Sequence, residues 1–167
     1  CSPPVLRLTL LPGPCVQAGP APSSTSSSPA HPNAMLHVVL VQPEIPPNTG
    51  NVIRLCANTG ATLHLVRPLG FPLDSAKMRR AGLDYHEFAS LRVHDSWAAF
   101  IEAEAPRCAW ALTTRGSRPP HAVRFQVDDY LVFGSETAGL PPAVLESFPA
   151  EQRLRLPMRP NNRSLNL

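Results

Sequence analysis

Short apolar runs alternate with helical patterns along residues 35–167. Apolar side chains at every third or fourth position are typical of helices packed on one side, whereas continuous apolar runs are typical of buried strands. The predicted strands are Leu36–Val41, Thr62–Val66, Cys108–Thr113, Asp129–Phe133 and Arg153–Leu156. Strands that alternate with helices favour a parallel sheet covered by helices on both faces. We therefore predict an α/β fold.

Capping residues set the limits of the predicted helices. The first helix begins at a cap, Asn48 or Thr49. It ends before Gly60, because glycine readily adopts the left-handed conformation that follows a helix. Asp95 or Ser96 caps a further helix that runs to about residue 104. Two shorter helices are predicted at residues 74–81 and 141–147.

The composition divides the chain into two parts. Residues 1–34 contain many Pro and Ser residues, one charged residue (Arg7) and no Phe, Trp or Tyr. A segment of this kind cannot bury enough apolar surface to offset its loss of conformational entropy. We predict a disordered extension over residues 1–34 and one folded domain over residues 35–167.

Charge and cysteine content favour a cytoplasmic protein and leave RNA binding open. The formal net charge is +3, which is compatible with RNA but does not demand it. No apolar run approaches the roughly 20 residues that a membrane span needs. The four cysteines form no C-x-x-C pair, so we expect free thiols, as in a reducing cytosol, and no metal site. His86 and His94 show no ligand spacing and are interpreted as structural residues.

Three polar segments each follow a predicted strand. Ligands in open α/β sheets bind outside the carboxyl ends of the strands, so these segments are expected to converge. Taken singly, they are compatible with a capped helix, a tight turn and a surface loop. The second segment is not a P-loop, because no Lys-Ser/Thr pair follows its last glycine. The segments are Asn48-x-Gly50-x-x-x-Arg54, Gly134-x-Glu136-x-x-Gly139-Leu140 and residues 156–167.

Taken together, the three segments resemble the motifs of SPOUT-class RNA methyltransferases. Those motifs run N-x-x-x-x-x-R, G-x-E-x-x-G-L and P-M-x-x-x-x-x-S-L-N, and this chain matches each of them in order. The resemblance covers residues 35–167. It is closest to the bacterial tRNA 2′-O-methyltransferases that act on the wobble nucleotide, through the stretches Pro43–Gly60, Arg79–Phe88 and Ala111–Thr114.

The resemblance implies an α/β fold with a C-terminal trefoil knot that binds S-adenosyl-L-methionine. By position, Leu112, Gly134, Leu156 and Ser164 would line the cofactor site. Glu136 would lie near the sulfonium and favour its positive charge. The chain ends at Leu167, within the third motif, so the knot is expected to be incomplete and the chain inactive or poorly folded as given.

The resemblance also implies the catalytic and RNA-binding residues. Arg54 would be catalytic, with Asn48 beside it in the first motif. A guanidinium pKa above about 12 makes Arg54 a poor base, so the alternative is that it holds a phosphate and stabilises the developing alkoxide. Candidate RNA contacts are Arg79, Arg80 and Arg115. The implied partners are the tRNA anticodon loop and a second copy of the chain.

Several alternatives remain open at this point. A related enzyme could methylate ribosomal RNA, although such proteins commonly carry an added RNA-binding domain that residues 1–34 do not resemble. The same fold could also serve as an RNA-binding module without turnover. A dinucleotide-binding or flavodoxin-like protein would need a glycine-rich or hydroxyl-rich loop after the first strand. Pro43–Pro47 is stiff and contradicts that interpretation.

Overall fold

Six parallel strands form one sheet in this computed structural model, which describes residues 36–73 and 90–158. The strands are β1 His37–Val41, β2 Thr62–Val66, β3 Leu91–His94, β4 Ala109–Leu112, β5 Tyr130–Phe133 and β6 Arg153–Leu154. The helices are α1 Pro46–Thr59, α2 Trp97–Glu104 and α3 Pro142–Glu146. Single 3-10 turns lie at Pro120–Ala122 and Ala150–Gln152.

The strand order is β3-β2-β1-β5-β4-β6, and every described pairing is parallel. The chain builds one half of the sheet from β1 to β3, then crosses to the other side of β1 to form β4, and β5 follows between β1 and β4. The order therefore reverses between β1 and β5. In open parallel sheets such a reversal leaves a crevice at the carboxyl ends of the strands, where ligands bind.

Helices cover both faces of the sheet, as predicted. On one face α1 packs Val52, Ile53 and Cys56 against Leu63 and Leu65 of β2. Complete burial of one aliphatic side chain of this size contributes about 1.5–3 kcal/mol. The opposite face carries α2 and α3, whose buried side chains are Phe100, Ile101, Val144 and Leu145.

Two predicted helix limits are confirmed because they depend on local chemistry. Gly60 follows α1 with a φ of 76°, the left-handed conformation expected after a helix. Ser96 caps α2, and its Oγ accepts a hydrogen bond from the Ala99 backbone N–H at 3.1 Å.

The predicted start of α1 is wrong. The helix begins at Pro46, with Ile45 at the N-cap position, so Asn48 and Thr49 lie in its first turn. Pro46 and Pro47 have no backbone N–H, which removes two of the donors that a capping side chain normally satisfies. Their fixed φ also suits the first turn of a helix.

Other differences concern β3, β6 and the cysteines. The sequence patterns did not predict β3, and β6 is shorter than expected, which leaves residues 155 and 156 outside the strand. Cys56 is a buried free thiol, whereas Cys108 is disulfide-bonded, so the prediction of a free thiol is wrong there. The predicted helix at 74–81 and the extension at 1–34 lie outside the described residues. Within the described ranges, no helix is long and apolar enough to cross a membrane.

Candidate active site

A cavity of about 650 Å³ opens where the loops after β1, β4, β5 and β6 meet. Its size falls within the roughly 300–1,000 Å³ of small-molecule and cofactor sites. Six residues singled out from the sequence line it: Asn48, Leu112, Arg115, Gly134, Glu136 and Leu156. The described parts of the three motifs thus contribute residues to one cavity at the carboxyl ends of the strands.

The glycines of the second motif allow its loop to fold back on itself. Ser135 and Gly139 exchange backbone hydrogen bonds of 3.1 and 2.9 Å. A Cβ added at Gly134 would overlap the backbone of Gly139 and Leu140, so no other residue fits without moving the loop. Gly139 has a φ of 72°, which glycine adopts without strain. The motif therefore forms a narrow loop that exposes backbone groups to the cavity.

Glu136 joins the second motif to the first. Its carboxylate accepts hydrogen bonds from the backbone N–H of Glu44 at 2.8 Å and of Ile45 at 3.3 Å. It also accepts one from Nδ2 of Asn48 at 3.3 Å. A negative charge at this end of α1 interacts favourably with the helix dipole. Glu136 both lines the cavity and fixes the loop that enters α1.

Asn48 is buried at this junction, with 8% of its surface exposed. Its amide must find hydrogen-bond partners there, because an unpaired buried polar group is costly. The Oγ1 hydroxyl of Thr137, next to Glu136, donates a second hydrogen bond between the motifs, to the Glu44 carboxylate at 2.6 Å. These contacts make the first two motifs one connected unit.

The loop after β4 is held against the end of β6. The Thr113 N–H donates to the Leu154 carbonyl at 2.9 Å, and the Arg155 N–H donates to the Arg118 carbonyl at 2.8 Å. A Cβ at Gly116 would come within 2.5 Å of the Leu154 carbonyl carbon, which shows how closely the two backbones pass. This packing places Leu112 and Leu156 on the same cavity wall.

Arg54 is not among the residues that line the cavity. It is exposed on α1, six residues after Asn48, which corresponds to about 9 Å along the helix axis and a different side of the helix. The structure therefore brings Asn48 but not Arg54 of the same chain to the cavity. Ser164, Arg79 and Arg80 lie outside the described residues.

Arg155 is a cavity residue that the sequence analysis missed. Its position was assigned to the last predicted strand, whereas β6 ends at Leu154 and Arg155 is exposed beside Leu156. Together with Arg115 it gives the cavity two cationic side chains in addition to the carboxylate of Glu136. The sequence signal for Arg155 is its position directly before the third motif.

Comparison with known proteins gives one consistent family. The SpoU rRNA Methylase family model matches residues 35–167. The chain is 70% identical over 135 residues to a tRNA (cytidine(34)-2′-O)-methyltransferase of Burkholderia ambifaria. This match covers 80% of this chain and 86% of that protein.

Solved structures agree with this match. One, described as giving structural insights into the 2-OH methylation of C/U34 on tRNA, is 53% identical with a TM-score of 0.71, covering 79% of this chain and 86% of that one. Another, an AdoMet-bound rRNA methyltransferase from Sinorhizobium meliloti, is 25% identical with a TM-score of 0.66 and covers 80% of this chain and 51% of that one. The resemblance seen in the motifs is confirmed: this chain belongs to the SpoU methylase family.

Proposed function

We propose that the protein methylates the ribose 2′-hydroxyl of the wobble nucleotide of tRNA, a cytidine or a modified uridine at position 34, using S-adenosyl-L-methionine. The observation that carries this proposal is the convergence of the three motifs around one cavity of ligand size. The high identity to a tRNA (cytidine(34)-2′-O)-methyltransferase supports the choice of nucleotide. The substrate would place the protein in the cytoplasm.

The residues of the cavity fit S-adenosyl-L-methionine. The narrow loop from Gly134 to Leu140 would offer backbone donors and acceptors to the ligand, while Leu112 and Leu156 would supply apolar surface. Ser164 would complete the site. When bound, the cofactor supplies a methyl group on a sulfonium, which leaves as a neutral thioether, so no metal ion is needed to stabilise the leaving group. The carboxylate of Glu136 lines the same cavity and would favour the positive charge.

The hydroxyl must lose its proton as the new O–CH₃ bond forms. We propose that Arg54 holds the neighbouring phosphate and stabilises the negative charge on the 2′-oxygen, because its guanidinium donates several hydrogen bonds in a fixed geometry. Asn48 orients the entrance of α1 through its bond to Glu136.

Arg54 would reach the cavity from a second copy of the chain in a homodimer. Its own chain places it on an exposed side of α1, away from the cavity lining. The neighbouring Leu55, with 60% of its surface exposed, would lie in that interface. Each cavity would then be completed by Arg54 of the partner subunit.

RNA would approach over the cationic rim of the cavity. Arg115 and Arg155 are both exposed there, and Arg79 and Arg80 are expected to extend the contact. Contacts of Arg with phosphates provide affinity without reading sequence. The unpaired bases of an anticodon loop can be splayed out and read individually, which suits such a site.

The test is transfer of a labelled methyl group from S-adenosyl-L-methionine to bulk tRNA, followed by nuclease digestion and mapping of the labelled nucleotide. Label on the ribose of nucleotide 34 supports the proposal. Label in ribosomal RNA, supplied in a parallel reaction, favours the alternative enzyme. RNA binding without any label favours a binding module of the same fold.

A further inference from the structure

A row of three histidines lies beneath α2, on three neighbouring strands of the sheet. His37 of β1, His64 of β2 and His94 of β3 point to the same face. Nδ1 of His37 is 3.1 Å from Nε2 of His64, and Nδ1 of His64 is 3.1 Å from Nε2 of His94. His64 is fully buried and His94 is 8% exposed. None of the three lines the proposed active-site cavity.

Glu104, the last residue of α2, directs a carboxylate oxygen at the same place. Its Oε1 lies 3.8 Å from Nδ1 of His64 and 3.8 Å from Nε2 of His94. The Glu104 side chain is only 9% exposed. Two imidazole nitrogens and one carboxylate oxygen thus converge on a common point between the helix and the sheet.

We propose that His64, His94 and Glu104 form a binding site for a divalent cation of the zinc class. Atoms separated by 3.1, 3.8 and 3.8 Å surround a point about 2.1 Å from each, which matches zinc–nitrogen and zinc–oxygen bonds of about 2.0–2.2 Å. Two histidines and one glutamate are a ligand set that zinc uses in proteins.

The residues around the three ligands orient them as outer partners of metal sites do. Coordination through Nδ1 of His64 leaves its Nε2 protonated, and that N–H then donates to Nδ1 of His37. The Arg92 Nη1 contacts both oxygens of Glu104 at 3.0 and 2.8 Å, which fixes the carboxylate. Burial of both imidazoles favours the neutral form that binds a metal.

Such a cation would stabilise the edge of the sheet. β3 is the outermost strand and pairs only with β2 among the described strands. The proposed ligands come from β2, β3 and the end of α2, so the ion would tie the end of the helix to the two outermost strands on that side of the sheet. The site is separate from the methyl-transfer cavity, and its effect is expected on stability rather than on the chemical step.

The proposal is tested by titrating the chelator-treated full chain with Co²⁺, whose visible absorption reports a low-coordinate site, and by displacing it with Zn²⁺. One equivalent per chain is expected, together with a higher midpoint of thermal unfolding. Glu104→Gln and His94→Asn should each weaken binding at least about 100-fold, since even outer-shell partners contribute 10–100-fold. The matched control is His121→Asn, an exposed histidine outside the cluster, which should bind as the parent does.

Absence of saturable Co²⁺ or Zn²⁺ binding by the folded parent chain would overturn the proposal. The histidines would then interact only through hydrogen bonds between their rings. Undiminished binding in both variants would also overturn the proposal. Should either variant fail to fold, X-ray absorption at the zinc edge of the parent protein decides the question. Two imidazole ligands support the site, whereas sulfur ligands or a single imidazole contradict it.

Discussion

The Glu136 carboxylate accepts three hydrogen bonds that connect the second motif with the first. It holds the backbone of Glu44 and Ile45 and the side chain of Asn48, and so sets the approach of the chain to α1. A residue with this many partners controls geometry as well as charge. Loss of its negative oxygens should therefore disturb both motifs together, including the part of α1 that carries Arg54.

We expect Glu136→Gln to lower the free energy of unfolding by about 1–2 kcal/mol, because an amide nitrogen would face backbone donors in place of an acceptor. Methyl transfer should fall more than the stability loss explains. Urea unfolding and steady-state kinetics measure the two effects. Glu146→Gln, an exposed glutamate on α3, is the control and should change neither. Parent-like turnover of Glu136→Gln would contradict the positioning role.

Arg54 provides the second test at the scale of single residues. Lysine keeps the positive charge but loses the planar fork that binds a phosphate or an alkoxide through two hydrogen bonds. We expect Arg54→Lys to reduce turnover by orders of magnitude while the unfolding midpoint and S-adenosyl-L-methionine binding remain as in the parent chain. Near-normal turnover of this variant would refute a specific role for the guanidinium.

At the scale of elements, the sequence predicts what is determined locally. The end of α1 at Gly60 and the cap of α2 depend on neighbours within a few residues. The sequence predicts the first and narrows the second to Asp95 or Ser96, of which Ser96 is the cap. The loop that enters α1 is held by Glu136, which is 92 positions beyond Glu44, and this contact has no signal in the local pattern. Contacts of that separation arise only when the sheet brings distant loops together.

The sequence pattern does not predict strand β3, for a related reason. Its four residues are in turn partly buried, exposed, exposed and buried, which gives no two-residue period, and the strand lies at the edge of the sheet. Missing this strand also hid the histidine row. His94 was interpreted as a structural residue because its partner His64 lies 30 positions away and meets it only through the pairing of β2 with β3.

The histidine row predicts a pH dependence of stability in the metal-free protein. Desolvation by burial lowers the pKa of His64 to about 4, and burial also lowers the pKa values of His37 and His94. The facing charges are Glu104, Arg92 and Asp128. Unfolded histidines take up protons near pH 6.5, so between about pH 6.5 and 4 the unfolded state binds more protons and acidification favours it.

Between pH 7 and pH 5, in the presence of a chelator, His64 alone should cost on the order of 2 kcal/mol of unfolding free energy. The pKa of Glu104 is lowered overall by its hydrogen bond to Arg92 and the nearby histidines, although burial raises it, and its contribution is lost only below this window. Urea denaturation at both pH values measures the difference. A stability that does not change from pH 7 to pH 5 would show that the histidines are not held neutral.

At the scale of the whole molecule, the position of Arg54 raises the question of which chain it serves. The cavity and Arg54 of one chain lie apart, so an active site completed across a dimer needs an intact cavity on one subunit and an intact arginine on the other. These two requirements can be separated by mutation. Gly134→Ala should displace the loop that lines the cavity, since its Cβ has no space beside Gly139 and Leu140, and Arg54→Ala removes the guanidinium.

Mixed dimers that pair an Arg54→Ala chain with a Gly134→Ala chain, purified through two different tags, should then regain activity although each homodimer is inactive. Arg54 of the second chain would complete the intact cavity of the first, so about half of the parent turnover per dimer is expected. Gel filtration establishes that both variants fold and dimerise. Should Gly134→Ala not fold, Leu112→Asp can replace it as the change that disrupts the cavity. Inactive mixed dimers would mean that Arg54 acts on the cavity of its own chain, because only that arrangement leaves no complete site in the pair.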